Sequence, residues 1–193
     1  MKAMIQTRED IRAYFEADRL AFGKPESISL KKRVASWLFP DTNYRYMQTL
    51  RKLEYYLNKS PRNIYILQKK LARLRYKTGI ELMPNVAGPG LHIPHGKVVI
   101  SAIAKIGSGC KILSDVTIGA QGRYDVSGAP VIGDRVFISS GARIIGNIHI
   151  SDDCVIGANA VVIHDIDEPN TTWVGIPARK ISDTGSYHYL NRG

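Results

Sequence analysis

Aliphatic residues recur at every sixth position through the second half of the chain, and this period constrains the fold more than any other feature. The positions form two series, Ile100, Ile106, Ile112 and Ile118, and then Ile132, Ile138, Ile144, Ile150, Ile156 and Val162. If about a quarter of positions carry Ile, Leu or Val, matches at all of these positions arise by chance roughly once in a million. The repeat is therefore a property of the fold.

A period of six fits neither an amphipathic helix nor a flat strand. It is typical of a left-handed parallel β-helix, in which the chain turns a corner every six residues and three hexapeptides close one triangular coil. Each repeated aliphatic side chain then points into the prism and stacks on its equivalent one coil away. Four residues after many of them stands a small or medium side chain, at Ala104, Cys110, Val116, Val136, Ala142, Cys154 and Ala160. We therefore predict that both cysteines are packed inside the prism.

The two series are separated by 14 residues, from Ile118 to Ile132, where six would continue the repeat. The surplus of eight residues must leave the prism, and we place this protruding loop within residues 121–130. Long excursions from a rigid scaffold often carry binding function. A less regular run from Leu82 to Ile93 predicts one further coil, so the β-helix is expected over residues 80–183, followed by a tail over 184–193.

Residues 1–79 carry a helical period instead, so the fold class is mainly β with an α-helical N-terminal region in front of the β-helix. Thr7 and Asp10 predict a capped helix start, and Gly23 its end. Asp41 predicts the cap of a longer helix whose apolar face is formed by Tyr46, Leu50, Leu53 and Leu57. A short stretch over 30–39, and a last helix opened by Ser60-Pro61 and stopped by Gly79, complete the region.

The positive charge of the chain is concentrated in these helices. The whole chain has 27 Lys and Arg against 17 Asp and Glu, a net charge of +10, and residues 30–79 alone carry 13 basic and two acidic side chains. A solvated helix face is the commonest explanation of such charge. Attraction to an anionic membrane or to a lipid-linked glycan is the second, and nucleic acid is disfavoured because no recognised binding motif accompanies the charge.

Several classes of protein are disfavoured by the remaining composition. Apolar residues make up 44% of the chain, enough for a buried core, but no apolar run approaches the roughly 20 residues that span a bilayer. The N-terminus has no signal-peptide core, and two cysteines cannot form a disulfide scaffold. We expect a cytoplasmic protein, with peripheral contact to the inner face of the membrane left open by the basic helices.

Three further segments resemble those of a known family. The segments GPGLHIPHG (88–96), IGANAVVIHDI (156–166) and VGIPARKI (174–181), together with the repeats, are similar to hexapeptide-repeat acyltransferases. The resemblance covers roughly residues 78–183. It is strongest to the serine acetyltransferases and to their relatives that O-acetylate bacterial surface polysaccharides. The resemblance implies acetyl transfer from acetyl-CoA to an acceptor hydroxyl, directly and without an acyl-enzyme.

The resemblance also implies roles for particular residues. His95 would be the general base, because imidazole accepts and returns a proton near neutral pH, and Glu81 would hold its other ring nitrogen. The acetyl-CoA-binding residues would be Gly119, Ala120, Ser140, Ala158, Arg179 and Lys180, the last two meeting the nucleotide phosphates. The family pattern implies a homotrimer with the site between neighbouring prisms, and it requires no metal.

The sequence says less about the identity of the acceptor than about that of the acyl donor. Asp18, His92 and Arg123 are candidate acceptor-binding residues, each with a plain structural alternative. Serine enzymes typically hold the substrate carboxylate with an Arg-His pair where this chain has Gly128-Ala129 before Pro130. We therefore favour a sugar of a surface polysaccharide or its precursor over serine. A trimeric scaffold without catalysis is the alternative of another class.

Overall fold

A computed structural model describes residues 4–26, 38, 41–59, 64–122 and 128–190 of the chain. Three helices come first within these ranges: α1 (Arg8–Ala21), α2 (Thr42–Lys59) and α3 (Tyr65–Thr78). Short strands follow, namely β1 (Ile80–Glu81), β2 (Val98–Ile100), β3 (Lys105–Ile106), β4 (Lys111–Ile112), β5 (Thr117–Gly119), β6 (Val131–Ile132), β7 (Phe137–Ile138), β8 (Arg143–Ile145), β9 (His149–Ile150), β10 (Val155–Ile156), β11 (Val161–Val162), β12 (Thr172–Val174) and β13 (Arg179–Ser182). A 3₁₀ turn at Ser186–His188 follows the last strand. In the described parts of the chain, no helix is long and apolar enough to span a membrane.

The predicted helix boundaries are confirmed where the structure describes them. Thr7 and Asp10 form a reciprocal capping box at the start of α1. The Asp41 carboxylate accepts a hydrogen bond from the Tyr44 backbone N–H at 3.0 Å at the start of α2. Gly79 ends α3 in the left-handed conformation, with φ of 66°. The predicted stretch over 30–39 and the Ser60-Pro61 start lie outside the described residues, apart from Leu38.

The strands form the predicted three-sided prism. They belong to three sheets, β1-β2-β5-β8-β11, β3-β6-β9 and β4-β7-β10-β12-β13, in which only β12 and β13 pair antiparallel. Paired residues of β1 to β11 stand 18 apart wherever the protruding loop does not lie between them, as in Ile100 with Ile118 and Ile132 with Ile150, which is three hexapeptides per coil. All of the six-residue aliphatic positions are at most 5% exposed, and Cys110 and Cys154 are completely buried in the core. The core is thus a stack of aliphatic side chains.

The surplus between the two series lies where the sequence places it. Ile118 pairs with Ile144, 26 residues away instead of 18, so eight residues leave the prism between β5 and β6. The backbone of Gln121 donates to the Gly128 carbonyl at 3.4 Å at the neck of this excursion. Residues 123–127, including Arg123, lie outside the described residues. Beyond the loop the register is regular again, since Ile138 pairs with Ile156.

The first coil, residues 80–97, departs from this regularity twice: it is one residue shorter than the next coil between Glu81 and Ala87, and one residue longer at the corner that contains His95. His92 bridges to Lys111, and Val99 pairs with Thr117. The chain therefore takes seven residues from His92 to Val99 but only six from Lys111 to Thr117. The corner that contains His95 thus holds one residue more than the corner stacked upon it. This extra residue sets that corner apart from the repeat.

Candidate active site

His95 lies at the foot of a column of small side chains along one edge of the prism. Ile93, Ile112, Ile138 and Ile156 occupy equivalent core positions in successive coils. The residues two positions later are His95, Ser114, Ser140 and Ala158, and they therefore share one corner. Successive coils are about 4.8 Å apart. We call these four residues the corner column. Sequence reasoning missed Ser114, although its position two residues after a repeated isoleucine could have identified it.

The turn that carries His95 is packed directly against the end of α3. A Cβ atom added to Gly96 would lie 1.7 Å from the Thr78 carbonyl oxygen, so only glycine fits at this position. The Lys97 N–H donates to the same carbonyl at 3.0 Å. Lys97 itself has φ of 62°, in the left-handed region. The close approach holds the turn down while the His95 side chain remains exposed to solvent.

A second element, α2, supports the same turn from the other side. The Asn43 side-chain amide donates to the Ile93 carbonyl at 3.1 Å and to the Pro94 carbonyl at 3.0 Å. These are the two carbonyls that immediately precede His95. Sequence reasoning missed Asn43, because a single polar residue in the first turn of a helix is usually read as a capping residue.

Glu81 lies on the neighbouring sheet without touching His95. It ends β1 with its side chain outward and exposed, and its backbone pairs with Val99 of β2. Among the described residues no hydrogen bond joins Glu81 to His95. The predicted partnership therefore requires either a movement of these exposed side chains or a bound substrate.

His92 is one of the residues that line a cavity between α1 and the first two coils. Its ring lies 4.6 Å from the Phe22 ring, and its Nδ1 atom is buried without a hydrogen-bond partner in the described chain. Burial, and after it the Lys111 ammonium, lowers the pKa of His92 to about 4, so the ring is neutral at pH 7. The cavity, about 390 Å³, is lined mainly by apolar groups of α1 and of two coils, including Ala17, Leu20, Pro89 and Cys110.

Asp18 is not among the residues that line this cavity, and its predicted contact with the acceptor stays a prediction. It is fully buried, and its carboxylate lies 2.9 Å from the Arg51 guanidinium and accepts the Gly90 N–H at 2.7 Å. The Asp18 carboxylate thus joins α1 to α2 and to the first coil. The structural alternative, a solvated helix charge, is wrong, because the burial is complete.

Arg51, Asp18 and Glu54 form a buried ionic cluster between the helices and the prism. The Arg51 guanidinium donates to Glu54 at 3.0 Å, to the Ala87 carbonyl at 2.8 Å and to the Gly88 carbonyl at 2.6 Å. Burial alone would lower the pKa of Arg51, but the two carboxylates outweigh it and raise that pKa. Burial also raises the pKa of Glu54, against the opposing effect of Arg51. The first coil is thereby held to the helices by charge-assisted hydrogen bonds.

Comparisons with known proteins identify the family. Residues 129–164 match the family model described as bacterial transferase hexapeptide (six repeats). The chain is 40% identical over 124 residues to a serine acetyltransferase of Helicobacter pylori, covering 63% of this chain and 72% of the relative. It is 32% identical over 182 residues to a serine acetyltransferase of Staphylococcus aureus, covering 92% and 78%. The chain belongs to the hexapeptide-repeat acyltransferases.

Solved structures of such acyltransferases share the arrangement of helices and prism. A soybean serine acetyltransferase complexed with serine superposes with a TM-score of 0.71 at 31% identity, over 90% of this chain and 70% of that one. A Neisseria gonorrhoeae serine acetyltransferase gives 0.70 at 28% identity, over 91% and 68%. These relatives are named serine acetyltransferases, so the predicted likeness to polysaccharide O-acetyltransferases gains no support from them. The non-catalytic scaffold is disfavoured, since the family is one of enzymes.

The residues that the family resemblance assigns to the acyl donor fall into three groups. Gly119 ends β5 and Ala120 follows it, Ser140 and Ala158 belong to the corner column, and Arg179 and Lys180 begin β13. Arg179 is exposed at the start of β13. Lys180 is engaged instead, since its ammonium pairs with Asp183 at 2.6 Å and with Glu168, and these acids raise its pKa. No cluster of three or more His, Cys, Asp or Glu side chains that could hold a metal occurs among the described residues.

Proposed function

We propose that this acyltransferase is an acetyl-CoA-dependent O-acetyltransferase with His95 as its general base. The observation that carries the proposal is the corner column, in which an exposed imidazole stands in line with Ser114, Ser140 and Ala158. Their small side chains leave room for an extended chain to lie along the corner against the backbone. A pantetheine arm in that place would end with its thioester beside His95.

The chemistry then needs one proton transfer in each direction. The neutral His95 imidazole takes the proton of the acceptor hydroxyl while the hydroxyl oxygen attacks the thioester carbonyl carbon. When the tetrahedral intermediate collapses, the carbon–sulfur bond breaks and the imidazolium returns the proton to the departing thiolate. Acid–base catalysis by a positioned side chain typically contributes about 10²- to 10⁴-fold. Glu81, brought nearer when the substrates bind, would steady the imidazolium.

For the donor, we propose that Gly119, Ala120, Ser140 and Ala158 contact the pantetheine arm and that Arg179 meets the nucleotide phosphates. Guanidinium groups are well suited to phosphate because they donate two parallel hydrogen bonds. Lys180 would contribute only after exchanging its present partners, Glu168 and Asp183, for a phosphate. We therefore expect Arg179→Ala to raise the KM for acetyl-CoA more than Lys180→Ala does.

For the acceptor, the named relatives favour serine, and serine is the first acceptor that we propose. A carbohydrate hydroxyl is the second candidate, because Gly128, Ala129 and Pro130 supply no charged side chain for a carboxylate and Ala129 is only 6% exposed. His92 would line the acceptor pocket in either case, since it lines the cavity between α1 and the first two coils and stands three residues before His95 in the chain. Arg123 keeps its predicted role in the acceptor pocket as part of this proposal.

The test is a thiol-release assay with acetyl-CoA, offered serine and a panel of free and nucleotide-linked sugars, with the acetylated product identified by mass spectrometry. We expect acceptor-dependent release that falls at least a hundredfold in His95→Ala. His188→Ala, which changes an exposed histidine of the 3₁₀ turn, is the matched control and should retain full activity. Undiminished transfer by His95→Ala would refute the assignment of the base.

Two further proposals concern partners. A homotrimer would complete the site between neighbouring prisms, and sedimentation should then give three times the chain mass of 21.5 kDa.

The groove of about 910 Å³ between α2 and α3 is lined by Arg45, Lys52, Lys69, Lys70, Arg73 and Lys77 and by no described acidic residue. Contact with an anionic membrane or lipid-linked glycan there predicts co-sedimentation with phosphatidylglycerol vesicles but not with phosphatidylcholine vesicles. Equal binding to both would contradict it.

A further inference from the structure

Asn43 makes two hydrogen bonds to the backbone immediately before His95. It is the second residue of α2, and its Nδ2 atom donates to the carbonyls of Ile93 and Pro94, at 3.1 and 3.0 Å. An amide nitrogen carries two protons, so the donor capacity of this group is fully used by two consecutive peptide units. The second of these units is the Pro94–His95 peptide. Its orientation fixes the direction in which the His95 side chain leaves the backbone.

The same face of α2 holds the rest of the first coil. Tyr46 lies three residues after Asn43 on α2, and its hydroxyl donates to the Leu82 carbonyl at 3.0 Å. Arg51 donates to the carbonyls of Ala87 and Gly88, and Glu54 accepts the Asn85 N–H at 2.8 Å. Among the described strands β1 pairs with β2 alone, so in this part of the chain the first coil has a neighbouring coil on one side only. Side chains of α2 thus supply, on its other side, hydrogen bonds that a further coil would otherwise supply.

The His95 turn has particular need of such support. It contains one residue more than the corner above it, so it cannot follow the regular hydrogen-bond ladder of the prism. Gly96 and Lys97, after His95, are held against Thr78. Ile93 and Pro94, before it, are held by Asn43. The residue between these two anchors is the histidine itself.

We propose that Asn43 is a positioning residue, which acts through the Ile93 and Pro94 carbonyls to keep the His95 imidazole in its reactive place. This inference rests on the proposed function of His95. A displacement of about 1 Å in a reacting group can cost about a hundredfold in rate. Loss of the Asn43 bonds should therefore lower kcat, whereas the KM for acetyl-CoA, which binds along other coils, should stay within about twofold.

The informative substitution is Asn43→Asp. It keeps the shape of the side chain but replaces both N–H donors by an oxygen that repels the two carbonyls. It also places a negative charge in the first turn of α2, which has no acidic residue there, and the helix dipole favours that charge. Folding stability should thus be nearly unchanged while the turn is released. Asn58→Asp on the same helix is the matched control, because its Nδ2 donates to Ile5 and Asn85, away from His95.

Two measurements are made on both variants. Hydrogen–deuterium exchange of a peptide covering residues 91–99 should become at least tenfold faster at the turn in Asn43→Asp and stay unchanged in Asn58→Asp. Steady-state kinetics should show kcat reduced about ten- to a hundredfold in Asn43→Asp only. Unchanged exchange at residues 91–99 would overturn the inference, as would an equal loss of kcat in the two variants.

The exchange measurement does not depend on catalysis. If the unaltered protein transfers no acetyl group to any acceptor, the proposed function fails. Faster exchange in Asn43→Asp would still support the hold of Asn43 on the turn in that case. If the protein is active and Asn43→Asp exchanges and turns over like the unaltered chain, only the positioning role fails.

Discussion

The helical region and the prism are held together by opposite means. In the prism the same aliphatic position is buried in every coil, and the peptide groups pair with the coils on either side. In the helical region the decisive contacts are single and polar: Arg51 with two carboxylates, Tyr46 with Leu82, Asn43 with the His95 turn. A sequence repeat predicts where each corner lies, but it predicts the same structure for every corner. The non-repeating helices are what make one corner different from the others.

Of the substitutions that test this contrast, Arg51→Met should cause the largest loss in the free energy of unfolding. The substitution leaves Asp18 and Glu54 buried without a cation, and breaking a buried ion pair in this way costs about 3–5 kcal/mol. Chemical denaturation measures the loss in the free energy of unfolding.

The triple variant Arg51→Met, Asp18→Asn, Glu54→Gln should recover part of that loss, because no charge then remains buried. The exposed Arg12→Met serves as control. A cost for Arg51→Met as small as that of Arg12→Met would show that the helices are held by apolar packing instead.

In the prism, Ile138→Ala should cause the next largest loss in the free energy of unfolding. Ile138 is completely buried between Ile112 and Ile156, and removing its side chain leaves a cavity that costs about 2–5 kcal/mol. Ile181→Ala, at a position 63% exposed, should change the free energy of unfolding by less than about 0.5 kcal/mol. Thermal unfolding of the two variants makes the comparison. A cost near zero for Ile138→Ala would contradict the view that every stacked position contributes.

The smallest expected effect is the pH dependence of folding stability that His92 causes, where the helices meet the prism. The pKa of His92 is about 4 in the folded chain against an ordinary histidine pKa of 6.5, so the unfolded chain binds the proton more readily between these values. Stability should therefore fall as the pH is lowered from about 6.5 to about 4. The partial exposure of the ring reduces the full linkage to about 1–2 kcal/mol.

His92→Gln should remove this part of the pH dependence. The quantity to measure is the difference in unfolding free energy between the variant and the unaltered protein, at pH 7 and at pH 4.5. The titratable groups facing His92 are His95, Lys111, Asp41 and Lys24, and they are unchanged in the variant. A difference that does not vary with pH would show that His92 titrates in the same range in both states.

The sequence predicted the repeating part almost completely. Ile100 through Val162 are buried as expected, the surplus of eight residues lies between β5 and β6, and Thr7 and Gly79 mark the ends of helices. These features succeed because each depends on local spacing. The position of His95 at an exposed corner also follows from the repeat, since it stands two residues after the buried Ile93.

The contacts between the regions could not be predicted in the same way. Arg51 was counted among the surface charges of the basic helices, and Asp18 was assigned either to the acceptor or to solvent, yet both are buried. Their burial depends on how closely α1 and α2 approach the first coil, and helical periodicity carries no information on that approach. The same reason hid Asn43, whose partners lie about fifty positions away in sequence.

The additional residue between His92 and Val99 has a consequence for how such a site can vary. A corner faces solvent, and the strands on either side of it resume their pairing, so lengthening or shortening the turn there leaves the buried stack undisturbed. The reach and direction of the imidazole thus depend on the length of this turn and on its anchors at Thr78 and Asn43, and the buried stack leaves them unspecified.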